Sequence, residues 1–349
     1  MKVRFTTSNL PFHYPFTISK GTKTHQPSLL VELEFLGQKG YGEAPAISYY
    51  DITTDKMISD LTAKRLFVEK FAFTDPERYW HYLHHLLPAN PFLVCALDIA
   101  AWDLFGKLKG RPLYSLWKLD PAAAPLTDYT IGIDTPERMV AKLQANPWPI
   151  YKIKLGGPED IALVKALRAV TSAPFRVDAN AAWTTEEALE KIPLLHALGV
   201  ELVEQPLATD NREGMKRLYE VSPIPLIADE SCVSEHDVEK CVGYFHGINI
   251  KLTKCSGITP ARRMIEKARS LGLRVMGGSM NESSIGTAAL AHLGPGMDYA
   301  DFDGPLLLEG DLAMGLNFTD GRVVPSGEPG LGVTVDPNLR FSGQPVNPS

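Results

Sequence analysis

The first 45 residues carry a partly alternating pattern of apolar and polar positions. Within them "SLLVELEFLGQKGYGEAP" predicts two strands joined by a glycine-assisted turn at "LGQKG". Across residues 54–118 the period lengthens. "DKMISDLTAKRLFVEKF", "DPERYWHYLHHLL" and "PFLVCALDIAAWDLFGKL" predict three helices, with Pro76 and Pro91 at early helical positions. Residues 1–121 therefore predict a small α+β domain. After "KLDPAAAPLTDYTIGI" the pattern changes again. Short apolar strands ("YKIKLG", "FRVDAN", "ELVEQP", "PLIADE", "GINIKL", "RVMGGS") alternate with helical segments such as "PEDIALVKALRAV" and "TPARRMIEKARSLG". Such alternation predicts an α/β domain with a parallel sheet over residues 122–309, and seven or eight units favour a closed barrel over an open sheet. The last forty residues return to Gly, Pro and short strand signals. They predict an extension or a segment packed back on the first domain, ending in a poorly ordered "SGQPVNPS".

Composition narrows the function classes. The 349 residues carry a formal charge of -6 and no long Lys/Arg block, which argues against nucleic acid or an anionic membrane as partner. No apolar run approaches the roughly 18 residues a membrane span needs, and the N-terminus lacks the apolar core of a signal peptide. Cys95, Cys232, Cys241 and Cys255 are scattered, fitting neither a disulfide framework nor a CxxC zinc site. Reduced structural thiols and a cytoplasmic location are expected. His81, His84 and His85 share one helix without a supporting carboxylate pattern, so they read as surface or inter-helix residues.

The chemistry is in the strand ends. Lys152 and Lys154 in "YKIKLGG" point the same way, because strand side chains alternate with period two. Alone, the pair reads as a solvated strand end. A series follows it: Asp178, Glu204, Asp229 and Lys251, at steps of 26, 26, 25 and 22 residues, each about one βα unit. In a barrel such strand ends converge on one mouth. Helix capping explains one of these carboxylates well and the series poorly. Three oxygen ligands, Asp178, Glu204 and Asp229, suit Mg²⁺, with Mn²⁺ as substitute, better than zinc. Asn180 and Glu230 are expected to orient these groups, and Glu230 competes with Asp229 for the ligand role. Lys154 and Lys251 on either side of the acidic series suit two-base proton transfer at an acidified carbon, through a metal-stabilised enediolate. Lys152 is expected to hold a substrate carboxylate or to lower the pKa of Lys154 by like charge.

The same residues carry a resemblance. "GEAPA", "CALDIAAWDLFGKLKGRPLYSLW", "YKIKLG", "RVDAN", "ELVEQP", "IADES", "INIKLTKCSGI", "GGSMNESSIG" and "DFDGPLLL" occur in an order and spacing similar to the muconate-lactonizing subgroup of the enolase superfamily, and most similar to its dipeptide epimerases. The resemblance covers nearly the whole chain. It implies an N-terminal capping domain (1–121, completed by 310–349) on a modified (β/α)7β TIM-like barrel (122–309). It implies Lys154 and Lys251 as the acid/base pair, Lys152 as first lysine of the KxK motif, and Asp178, Glu204 and Asp229 as Mg²⁺ ligands. The activity implied is epimerisation of the C-terminal residue of a dipeptide. Cycloisomerase, o-succinylbenzoate synthase and N-acylamino acid racemase are the alternatives. A homo-oligomer is compatible with it. Lys254 is expected to be peripheral.

Two features bear on substrate choice. In dipeptide epimerases the DxD matched by Asp301 and Asp303 holds the free α-ammonium, and two same-face carboxylates make a cation site. Members that bind a C-terminal glutamate place an arginine in the loop after "PF". Here "PFTISKGTKTHQPS" has none, and Gly21 stands near the matching place. Lys20 or Lys23 can substitute only without arginine's planar fork, so a small or apolar second residue is expected at least as much as glutamate. Tyr49 or Tyr50 is expected to add an aromatic wall, Ser279 and Met280 to line the pocket, and Met276 to sit in the core. Loops 16–26 and 47–53 are candidates for a lid.

Overall fold

The computed structural model describes residues 1–342; the expected tail "SGQPVNPS" lies, apart from Ser342, outside the described residues. Three antiparallel strands open the chain: β1 (Lys2–Ile18), β2 (Gly21–Phe35) and β3 (Gln38–Pro45). The β2–β3 turn falls at Leu36–Gly37, both at positive φ (50° and 77°), and Phe35 pairs with Gln38. That is the two-residue hairpin geometry whose twist matches the flanking strands. Helices α1 (Thr54–Lys70), α2 (Pro76–Leu86) and α3 (Pro91–Lys109) follow. Thr53, Asp75 and Asn90 cap them by accepting from the backbone N–H three residues on.

Helix α3 is apolar on nearly every side because it is sandwiched between the sheet and the second domain. Buried side chains such as Leu97 and Leu104 contribute about 1.5–3 kcal/mol each. The sheet approaches so closely that a Cβ on Gly40 would lie 2.1 Å from the Ala100 carbonyl, and one on Gly42 1.9 Å from that of Ala96. The two acids interrupting this run are buried ties. Asp98 accepts from the Thr259 N–H (2.9 Å) and hydroxyl (2.8 Å) at the start of the helix Ile258–Ser270. Asp103 accepts from Tyr41 N–H, Leu331 N–H and Lys107 Nζ.

The second domain holds eight parallel strands in sequential order: β4 (Tyr129–Ile131), β5 (Tyr151–Lys154), β6 (Phe175–Asp178), β7 (Val200–Glu204), β8 (Leu226–Ala228), β9 (Gly247–Ile250), β10 (Arg274–Gly278) and β11 (Tyr299–Asp301). A bridge between Thr127 and Ala300 joins the two ends of the sheet, giving a near-closed barrel. Inside it, Leu202, Ile227 and Met276 form a fully buried apolar layer with Tyr299. Two residues further along the strands, on the same face, come Glu204, Asp229, Gly278 and Asp301. The apolar layer is thus the floor beneath a polar mouth. The C-terminal segment touches both parts: Gly330 packs against α3 at Gly106, the Ser342 N–H donates to Phe5 O, and the Thr127 N–H donates to Gly321 O. No helix among the described residues is long and apolar enough to cross a membrane.

Candidate active site

Register brings the charged strand ends level. Lys154 pairs with Asp178, and Asp178 with Glu204, as direct cross-strand neighbours. Oxygens of Asp178, Glu204 and Asp229 all lie within 4.8 Å of one another, and the three residues are almost wholly buried. Like charges so close in low dielectric need cations. Lysines supply them. Lys154 Nζ lies 2.6 Å from Asp178 Oδ2, and Lys251 Nζ lies 2.9 Å from Asp229 Oδ2. Lys152 Nζ lies 2.7 Å from both Glu204 Oε2 and Asp301 Oδ2, and 3.5 Å from Asp178 Oδ2.

Electrostatics follow from this packing. Burial opposes the Lys152 ammonium, but Asp301, Glu204 and Asp178 together outweigh it and hold its pKa above the ordinary lysine value. Burial and neighbouring Asp178 push Glu204 up to about 7. Burial also acts against ionised Asp229, yet Lys251 and Lys254 hold it well below the usual carboxylate range. Glu204 Oε2 is buried and accepts no aligned hydrogen bond, having only the charge of Lys152 beside it. An all-oxygen set with an orphaned carboxylate oxygen fits a hard divalent cation such as Mg²⁺.

A second acidic group, Asp128, Asp301 and Asp303, is equally close-set. Cations of the chain already serve part of it: Arg176 Nη1 lies 2.9 Å from Asp128 Oδ2, and Lys152 holds Asp301. Asp303 Oδ2 accepts from the Thr130 N–H at 2.6 Å, which ties the DxD turn to β4. Burial and Asp301 push Asp303 up to about 7.

Above these groups opens a cleft between the barrel mouth and the capping domain. Lys154, Lys251, Asp301, Asp303, Ser279 and Met280 line it from the barrel, and Lys20, Gly21, Lys23 and Tyr49 from the capping domain. Lys152 does not line the cleft; it lies beneath, 1% exposed, and bridges the two acidic groups through Glu204 and Asp301. Tyr49, not Tyr50, faces the cleft. Tyr50 packs its ring 6.0 Å, centroid to centroid, from that of Phe92, while its phenol remains within reach of the charges of Asp229 and Lys251. Asn180 orients Asp178: its N–H donates to Oδ1 at 2.8 Å and its amide to Oδ2 at 3.3 Å. Glu230 follows Asp229 in the turn after β8 and pairs with Lys20 of the capping loop at 2.7 Å. The three-carboxylate set therefore takes Asp229, and Glu230 ties the loop.

Lys254 is not peripheral. It is 7% exposed and bonded to Asp229. Two further residues escaped the sequence reading. Asn249 donates to Glu204 Oε1 at 2.8 Å. It stands two positions before Lys251, so period two alone places it on the same face. Gln205 Oε1 accepts from the Asp229 and Ser231 N–H groups, both at 3.0 Å. Its backbone sits at φ 34°, a break in the strand that no local pattern signals.

Fold and site together define an enolase-type enzyme with a capped barrel and an oxygen-ligand metal site. Residues 1–117 match the mandelate racemase / muconate lactonizing enzyme N-terminal domain, and residues 135–339 match the enolase C-terminal domain-like family. The chain belongs to the mandelate racemase / muconate lactonizing enzyme family, and within it to the dipeptide epimerases. It is 48% identical over 335 residues to an L-Ala-D/L-amino acid epimerase of Flavobacterium johnsoniae, covering 96% of this chain and all of that one. The L-Ala-D/L-Glu epimerase of Bacillus subtilis, solved with its substrate, superposes with a TM-score of 0.89 at 29% identity, over 95% of this chain and 99% of that one. The dipeptide epimerase of Cytophaga hutchinsonii, solved with Mg and D-Ala-L-Val, also gives 0.89, at 28% identity and 96% coverage of both.

Proposed function

We propose that this protein is a Mg²⁺-dependent dipeptide epimerase that inverts the α-carbon of the C-terminal residue by two-base proton transfer. The observation that carries the reading is the placement of Lys154 and Lys251. Their strands, β5 and β9, are four apart in a ring of eight, so the two ammonium groups stand on opposite sides of one cleft. Asp178, Glu204 and Asp229 would hold a divalent ion, which would supply Lewis-acid chemistry to a substrate carboxylate. One lysine, in its neutral amine form, removes the α-proton from its face and becomes the ammonium. The carbon becomes planar, and the other lysine returns a proton from the opposite face. Asp301 and Asp303 receive the free α-ammonium, which favours dipeptides over the N-acylated or amine-free substrates of the alternative activities. Lys152 holds the two acidic groups together and keeps their charge tolerable.

The second residue is small or apolar rather than strictly glutamate. Lys20 is already engaged by Glu230, and Lys23 offers one ammonium without a planar fork. Four free, buried cysteines support a reducing, cytoplasmic setting. Chiral chromatography of a dipeptide panel with Mg²⁺, then with chelator, tests the reading. Epimerisation that stops on chelation and returns with Mg²⁺ is expected; failure of every dipeptide defeats it.

A further inference from the structure

We infer that Lys254 is a positioning residue, which fixes Asp229 so that its other carboxylate oxygen remains for Lys251 and for the set it forms with Asp178 and Glu204. An ammonium has three protons to donate. Lys254 Nζ donates to the Asp229 backbone oxygen, to Asp229 Oδ1, and to Cys232 O at 3.3 Å. Its donors are spent, it is buried, and it does not line the cleft. It therefore moves no proton to substrate.

The two carboxylate oxygens of Asp229 are divided. Lys254 takes Oδ1 and Lys251 takes Oδ2. Gln205 fixes the Asp229 N–H from the side of β7. Asp229 is thus held through its amide, its carbonyl and one carboxylate oxygen, and the remaining oxygen is aimed. Local geometry makes this contact natural. The chain leaves β9 and enters a helical turn, Leu252–Cys255, with Lys251 at its N-cap. Residues three apart on a helix share a face, so Lys254 returns beneath Lys251. On the opposite wall, Lys154 is paired with Asp178, which Asn180 holds independently. Loss of Lys254 therefore acts on one wall of the site.

The test compares Lys254→Met with wild type in two ways. The first is Mn²⁺ affinity, read from the free-ion EPR signal without substrate. A residue that contributed only charge would repel the ion, and its removal would tighten binding. A residue that positions a ligand gives the opposite sign, and Mn²⁺ binding at least tenfold weaker is expected. Unchanged or tighter binding overturns the proposal. The second is α-proton exchange in D₂O from each epimer separately, with Lys251→Ala identifying the epimer that Lys251 serves. Lys254→Met should lose exchange at least tenfold more on that epimer than on the other; equal losses overturn the proposal. If Lys254→Met does not fold, Lys254→Gln carries the test, since its amide restores one of the three bonds. A several-fold weaker Mn²⁺ affinity and the same one-sided loss are expected; unchanged affinity or an equal loss on both faces overturns the inference. The exchange arm rests on the two-base reading. If the wild-type protein exchanges no dipeptide, that reading fails, while the Mn²⁺ arm still decides the role of Lys254.

Discussion

Lys154 and Lys251 each hold a different member of one carboxylate triad, Lys154 at 2.6 Å from Asp178 and Lys251 at 2.9 Å from Asp229. The two lysines are thus placed by the same groups that suit the metal, from opposite walls. Single replacement should separate the walls. Lys154→Ala and Lys251→Ala are each expected to lower epimerisation at least about 10³-fold, within the range of a lost general acid or base. Each should retain α-proton exchange from one epimer only, and not the same one. Mass spectrometry of each epimer in D₂O reads this directly.

Asp303 is the cleaner probe of the proposed ammonium site, because Asp301 also anchors Lys152. Asp303→Asn should lower kcat/KM for free-amine dipeptides about 10–100-fold, the worth of a charge-assisted hydrogen bond. N-acylated dipeptides should change much less. Equal losses for both would assign Asp303 to holding the turn on Thr130 alone.

Lys23 lines the cleft and is expected to set the response to an acidic second residue. Burial, then Lys251 and Lys154, lower its pKa to about 8, against the pull of Glu282. It is charged below that pH and neutral above it. Activity on L-Ala-L-Glu relative to L-Ala-L-Leu should therefore fall as pH rises through about 8, and Lys23→Met should flatten the ratio. A ratio that tracks pH identically in the variant would remove Lys23 from the account.

Asp98 is expected to make the docking of α3 pH-dependent. Burial raises its pKa to about 7, with the Thr259 hydrogen bonds opposing. A folded-state pKa above the unfolded value means that the native protein binds the proton more tightly. The associated stability is complete below about pH 4 and is lost as pH rises toward 7. Denaturant unfolding should show a loss on the order of 2–4 kcal/mol across this window, and Asp98→Asn should abolish that slope. An unchanged slope would place the titration elsewhere.

The sequence carried the barrel and most of its mouth for a physical reason. Strand ends in a barrel converge whatever separates them in the chain, so spacing of about one βα unit translates into proximity. Asp178, Glu204, Asp229 and Lys251 were legible in this way. The failures arose where the period changed. Lys254 falls at a different phase from Lys251 in the helical entry and so reads as peripheral, whereas the turn Leu252–Cys255 returns its ammonium to Asp229. Tyr49 and Tyr50 sit in a 3₁₀ turn, whose facing no pattern of two residues settles. Gln205 acts from a left-handed break. The Lys20–Glu230 tie joins residues 210 positions apart across two domains, so neither one's surroundings in the chain reveal it.

The central claim is proton transfer at the α-carbon from both faces. Its most direct test is a panel of free dipeptides incubated with the wild-type protein and Mg²⁺ in D₂O, read by mass and by chirality of the C-terminal residue. One deuterium at that α-carbon with formation of the opposite epimer is predicted, starting from either epimer. A Mg²⁺-loaded protein that incorporates no deuterium into any dipeptide, or that exchanges without ever inverting, would contradict the account.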